Sequence, residues 1–367
     1  ILKGLFSFRS DTPDLPPAVR KNRFDACLEV LQRRYGNAGM KASGLCADVR
    51  LMCLRPTVWS SYEKSLAIKN LCSEEFMATM ANIMTKVSIE ALYHGNVDKS
   101  DAESAKKIIM EAAAGLTGLQ KKQHPKQEVL MTPHTVDHQI TVPTIDPKEP
   151  NTAVEVYFQC GKDDIKDRVA VDILMQIMYE PMFNQLRTKE QFGYQVSCAS
   201  RWTYGIIGMC FKVVTNCKSA NEVSARIEKF IDEYRIELVK MSDETFLEHV
   251  VGIAKNKLEK FNSLDEEAGS LWSEIIENRH DFEVHRNEAA KLKETTKDDV
   301  LKAFDKWLCS GSKKRRKLTV HTIGTSDGEA SEGRPVVDSS VEIGGVIDAK
   351  VKEFHKSAGL KTWGKIF

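Results

Sequence analysis

The run Phe183-Asn184-Gln185-Leu186-Arg187-Thr188-Lys189-Glu190-Gln191-Phe192-Gly193-Tyr194-Gln195-Val196 predicts three local events in close succession. A helix ends near Leu186, a polar turn reverses the chain at Phe192-Gly193, and Tyr194 begins a strand. That order sets Arg187 and Tyr194 at the rim of one sheet, where a guanidinium and a phenol can both donate to a peptide carbonyl. A structural reading stands beside it: Arg187 pairs a carboxylate at the helix end, and Tyr194 caps the edge of a core. The residues alone leave both readings open.

Upstream of this run, Ile165 to Leu186 carries Val169, Ile173, Ile177 and Met178 on one helical face. Met175, Met178 and Met182 read as core packing. Val154 to Gln159 alternates as a strand, and beyond the run Tyr194 to Ser200 and Ile206 to Thr215 read as two more. Four helices are expected next. Three of their starts are signed by Ser219 with Glu222, by Ser242 before an acidic turn, and by Thr296 with Asp299. Leu318 to Ile323 closes the order as a strand, Thr325 to Pro335 reads as a Gly/Ser/Glu loop, and Val346 to Phe354 as a short helix. Strand, helix, two strands, helices and strand predict an α+β fold, with helices packed on one face of a largely antiparallel sheet.

The first third has a different pattern. From Asp14 to about Leu119 it is mainly helical: Phe24, Cys27, Leu28 and Leu31 share a face, and Ser73 opens a capped segment through Phe76, Met80, Ile83 and Val87. Ser88 to Asn96 reads as one strand leaving by Gly95-Asn96, followed by a helix from Ser100 to about Gly115. Pro125, Pro133, Pro143, Pro147 and Pro150 then exclude a long helix and mark a linker with short extended pieces. The expected domains are residues 1–125, residues 126–330 and a tail over 331–367.

A length of 367 residues, with 42% hydrophobic and 29% charged, suits two or three globular domains. Lysine plus arginine, 53, nearly cancel aspartate plus glutamate, 52, so net charge gives no pull toward nucleic acid or an anionic membrane. Nine cysteines without a C-x-x-C pair argue against a disulfide framework and a thiolate metal site, and for buried thiols in a reducing compartment. No run approaches the ~18 apolar residues of a spanning helix, and the first residues lack the regions of a signal peptide, so a soluble cytoplasmic protein is expected. The initial Ile1 suggests a fragment or a processed product.

The segment from Glu180 to Val196, with its L-R-T-K-E-Q-x-G-Y core, resembles the fourth-domain signature of the insulysin and nardilysin branch of the pitrilysin family. Glu90 to Asn96 resembles the end of that family's third domain, Val154 to Gln159 the opening sheet of the fourth, and Lys317 to His321 its closing strand. Val346 to Asp348 and Lys352 to Phe354 resemble the tail. The resemblance implies a zinc metalloendopeptidase of four homologous domains forming two halves around a chamber, with zinc in a first domain absent here. This chain would be the latter part of the third domain plus the fourth, lacking a zinc site and inactive or nearly so by itself. Arg187 and Tyr194 would hydrogen-bond the substrate backbone, neither being a nucleophile or a base. The implied partners are peptide substrates and an amino-terminal catalytic half, with room for a homo-oligomer and none for nucleic acid or membrane. The rival implication is a catalytically inactive structural or peptide-binding module of the same fold.

Two histidine pairs imitate metal spacing. His134-Thr135-Val136-Asp137-His138 has the interval of a zinc helix, but Pro133 and Pro143 bracket it and its β-branched residues favour an extended chain. In a strand the two rings would lie ~13 Å apart, too far to share a metal. His280 to His285 reads as a solvated turn between helices. Neither is assigned a metal. Lys313-Lys314-Arg315-Arg316-Lys317 admits a nuclear signal or polyanion patch, and reads more simply as a solvated turn. The resemblance further implies anion binding near Lys255, Lys257 and Lys260, of which only Lys260 matches in local sequence.

Overall fold

The computed structural model describes residues 16–125, 127–134, 136–327 and 340–363. Along the chain run α1 (Pro17–Gly36), α2 (Ala42–Leu54), α3 (Ser61–Ile68), α4 (Ser73–Ile83), β1 (Lys86–Val87), α5 (Lys99–Ala112), β2 (Thr117–Gly118), β3 (Leu130–Met131) and β4 (His138–Pro143). Then come β5 (Thr152–Lys162), α6 (Ile165–Met182), a wide π-turn (Phe183–Lys189), β6 (Gln195–Thr203) and β7 (Ile206–Thr215). They are followed by α7 (Ala220–Lys240), α8 (Asp243–Leu258), α9 (Leu264–Ile276), α10 (Val284–Glu294), α11 (Lys297–Trp307), β8 (Lys317–Ile323), α12 (Ser340–Ser357) and β9 (Lys361–Thr362). Packing separates two compact units: the described residues of Ile1–Gly36, Glu63–Lys126 and Lys260–His280, and those of Asn37–Tyr62, Gln127–Glu259 and Asp281–Phe367.

The first unit is helical. Cys72, and not Ser73, caps α4, its sulfur accepting from the Glu75 amide at 3.5 Å. Asp98 and Asp101 close a capping box on α5. The strand expected over Ser88 to Asn96 does not form. Only β1 pairs there, in parallel with β2, and Ile89 and Tyr93 are exposed. A strand needs a neighbouring backbone to complete its hydrogen bonds, and among the described residues none runs beside that stretch.

The second unit is built on a five-stranded sheet in the order β4-β8-β5-β7-β6, antiparallel except where β4 pairs with β8. The start of β7 and all three signed caps at Ser219, Ser242 and Thr296 match expectation, but five helices, not four, lie between β7 and β8, one of them, α9, belonging to the first unit. On the central strand β5, Val154, Val156 and Phe158 pack with Ile173 of α6, Phe230 of α7, Phe246 of α8, Leu292 of α10 and Phe304 of α11. The opposite face is covered too, by Leu45 and Val49 of α2 and Ile347 and Val351 of α12, against Ala153 and Tyr157. The tail helix is longer than the predicted Val346 to Phe354, and Ser60 anchors it by donating to Asp348 at 2.8 Å. The loop read over Thr325 to Pro335 lies, from residue 328, outside the described residues.

Covering the second face changes the meaning of β5. Glu155 would face solvent on a one-sided sheet, but here it is fully buried. Arg50 Nε donates to its Oε2 at 2.9 Å, and Lys212 Nζ lies 2.6 Å from Oε1 in an ion pair off the hydrogen-bond angle. Lys212 also donates to the Ser43 carbonyl at 3.0 Å, so the charges fasten α2 to the sheet.

The basic run before β8 is only partly solvated. Arg315 is buried, 3.2 Å from Asp137 and 2.5 Å from Glu228, and Lys317 reaches the same two acids at 3.1 and 2.8 Å. Arg316 donates to the Thr132 carbonyl with its guanidinium 5.2 Å from the centre of the Trp363 ring. Lys313 and Lys314 remain exposed. The reading as a solvated turn is therefore corrected: acids distant in sequence draw Arg315 and Lys317 inward.

All nine thiols are free; Cys27, Cys72 and Cys217 are exposed, and five others are buried. Burial pushes Cys198 and Cys210 up to about 12. No helix of the described residues is long and apolar enough to cross a membrane.

Candidate functional site

Pro181, in the last turn of α6, has no amide hydrogen, which leaves the Ile177 carbonyl without its helical donor. Tyr234, on α7, supplies one: its hydroxyl donates to Ile177 O at 2.7 Å. Removing that hydroxyl in Tyr234→Phe should cost about 1–3 kcal/mol by orphaning a buried acceptor. Urea unfolding measures it, and an unchanged midpoint would reject this account of Pro181.

Beyond Pro181 the helix neither stops near Leu186 nor continues as α. It widens over Phe183–Lys189, a form of turn that recurs at functional sites. Glu190 N donates to Gln185 O at 3.0 Å, Phe192 N to Leu186 O at 2.8 Å, and Gln191 takes a left-handed backbone with φ of 54°. Gly193 then passes so close to β7 that a Cβ would stand 2.2 Å from the Val214 carbonyl oxygen. Any side chain would force the two segments apart. Tyr194 N donates to that same carbonyl at 3.1 Å, and β6 begins.

Arg187 and Tyr194 therefore flank the reversal anticipated from sequence. Arg187 is exposed, its guanidinium 5.6 Å from the centre of the Phe183 ring, and it meets no carboxylate among the described residues. Tyr194 is 57% exposed and its hydroxyl has no hydrogen-bond partner among them. For Arg187 the structural alternative is not what forms: the carboxylate of this turn, Glu190, pairs with Arg226. Neither donor lines the adjoining open cleft of about 660 Å³, bordered by Gln176, Tyr179, Glu180, Asn184, Lys189 and His249.

The lysines separate clearly. Lys257 is occupied, 2.8 Å from Asp172 and 2.6 Å from Glu288, and Arg168 joins Glu288 at 2.7 Å and Asp163 at 2.8 Å. Burial alone would raise Glu288, but the cations beside it outweigh that and hold it below the usual carboxylate range. Lys260 is exposed and has no ion pair among the described residues. Among the described residues no group of three or more His, Cys, Asp or Glu side chains is placed to hold a metal ion. His134 is exposed at a bend, while His138 sits in β4 with its ring edge-on to Phe354 at 5.7 Å. His280 takes a left-handed turn and His285 lies in α10. These residues do not fit a zinc site.

Sequence reasoning missed Tyr234, Gln185 and Arg226. Pro181 inside a helical pattern does announce an orphaned carbonyl at Ile177, but nothing local says which distant side chain answers it.

A family model described as "PQQ synthase PqqF-like, C-terminal lobe domain 4" matches residues 173–272. A nardilysin-like protein of Arabidopsis thaliana is 29% identical over 305 residues, covering 82% of this chain and 30% of that protein. Insulin-degrading enzyme of Homo sapiens is 26% identical over 315 residues, covering 83% of the chain and 30% of the enzyme. The chain thus spans under a third of the length of these relatives. The crystal structure of pitrilysin superposes with a TM-score of 0.65 at 16% identity, over 89% of this chain and 34% of that one. The chain is thus similar in sequence to nardilysin-like protein and insulin-degrading enzyme, matches the C-terminal lobe domain over residues 173–272, and shares the fold of pitrilysin.

Proposed function

We propose that this chain is the substrate-enclosing, non-catalytic half of a zinc metalloendopeptidase, and that Arg187 and Tyr194 orient the peptide it helps to cleave. The observation that carries the reading is a pair of strong donors left exposed, without a hydrogen-bond or ion-pair partner among the described residues, on either side of a closely held reversal. A guanidinium and a phenol so placed can each donate to a backbone carbonyl, fixing the peptide's register and drawing charge toward the scissile oxygen. Zinc in the first domain of the complete enzyme would supply the activated water, and none of the described residues of this chain is assigned to holding it. In this reading residues 1–125 are the latter part of the third domain, 126–330 the fourth, and 331–367 the tail. Lys260 is its candidate anion contact, and its nine free thiols suit a cytoplasmic enzyme.

The test is reconstitution. A zinc-loaded amino-terminal half should cleave a fluorogenic peptide much faster when this chain is added, and the chain alone should have little or no activity. No gain on addition would favour the rival reading, an inactive structural or peptide-binding module.

A further inference from the structure

Glu190 lies inside the reversal and has no role in the reading above. Its carboxylate is gripped from two sides. Arg226, on α7, donates from Nε at 2.6 Å to Oε2 and from Nη2 at 2.7 Å to Oε1, while Gln185 Nε2 donates to Oε1 at 2.5 Å. The backbone repeats the second link, Glu190 N donating to Gln185 O at 3.0 Å. Gln185 and Glu190 are thus joined twice, and Arg187, Thr188 and Lys189 lie within the loop they close. Arg226 is steadied in turn by Glu233 at 3.2 Å, and the Arg226–Glu190 pair is only partly buried, the two side chains being 11% and 26% exposed.

We propose that Glu190 and Arg226 form a positioning clamp that sets the Arg187 guanidinium in place for the backbone of a bound peptide. The inference rests on the substrate-orienting reading of Arg187 and extends it to the residues behind it. A π-turn is a rare backbone form next to an α-turn, and a long arginine side chain loses considerable rotamer freedom when it engages a ligand. Fixing the backbone beneath it beforehand removes part of that cost. A two-pronged guanidinium–carboxylate contact holds both distance and plane, which neither a lysine nor an amide reproduces. A partly exposed ion pair adds little to global stability, so the loss of a merely structural pair here would scarcely register. The hydrogen bonds from Arg226 also hold Glu190 below the usual carboxylate range, which keeps the clamp charged further into acid.

Two measurements on Glu190→Gln and Arg226→Lys test this. In this chain, hydrogen exchange at the amides of residues 186–190 should quicken about tenfold while the unfolding midpoint barely moves. Paired with the zinc-loaded amino-terminal half, each variant should lower kcat by about tenfold with little change in KM, and Arg226→Lys should retain more activity than Arg226→Ala. Combining Glu190→Gln with Arg187→Ala should be no slower than Arg187→Ala alone, because a clamp with nothing to position has no effect. Unchanged exchange at those amides, or losses that simply multiply in the double variant, would overturn the clamp. If Arg187→Ala proves inert, the orienting role falls and the clamp's purpose falls with it; exchange that still quickens in Glu190→Gln identifies that failure as belonging to the function and not to the geometry.

Discussion

Replacing Arg187 with alanine is expected to lower kcat/KM for peptide cleavage in the reconstituted enzyme by about 30- to 1,000-fold, or roughly 2–4 kcal/mol of transition-state stabilisation. The size follows from where the donor sits. Arg187 is fully charged and has no competing carboxylate among the described residues, so a closed chamber that removed water around it would leave the peptide carbonyl as its main partner. Tyr194→Phe removes a neutral donor and should lose less. Both variants should melt with the parent chain, since exposed groups with no hydrogen bond to the described residues contribute little to folding. Full activity in Arg187→Ala would withdraw the role assigned to it.

A second large effect is expected far from that reversal. Glu155→Ala should destabilise the chain by about 3–5 kcal/mol, because it leaves Arg50 and Lys212 buried without their counter-charge. Arg50 is 4% exposed and Lys212 9%, so water cannot readily take the carboxylate's place. Chemical denaturation followed by circular dichroism measures the change. Because α2 is held to the sheet through these charges, its amides should lose exchange protection before those of β7. A loss under 1 kcal/mol would mean that the two cations find other partners.

Much of the second unit could be read in advance because its signals are local. The capping boxes at Ser219 and Thr296 and the start of β7 depend on residues three or four apart, and each appears where anticipated. The turn at Phe192-Gly193 was legible for the same reason, since glycine is required where Val214 comes within 2.2 Å of a Cβ position. What was not legible depends on partners distant in the chain. Ser88 to Asn96 has the alternation of a strand but no neighbour to pair with among the described residues, and Arg315 looks solvated until Asp137 and Glu228 are brought beside it. The π-turn is of the same kind, following a proline whose orphaned carbonyl is met by Tyr234, 57 positions away.

The distribution of the thiols offers an experimental handle. Cys198, Cys210 and the other interior sulfurs are screened from reagents and held as neutral thiols, so a maleimide at neutral pH should react with Cys27, Cys72 and Cys217 alone among the fully exposed and fully buried positions. Cys217 Sγ lies 3.7 Å from the Gln191 carbonyl, one residue past the ionic grip on Glu190. In a variant with Cys27, Cys72 and the half-buried Cys309 changed to serine, an environment-sensitive dye on Cys217 would turn that corner of the molecule into its own optical reporter, signalling peptide arrival without any cleavage.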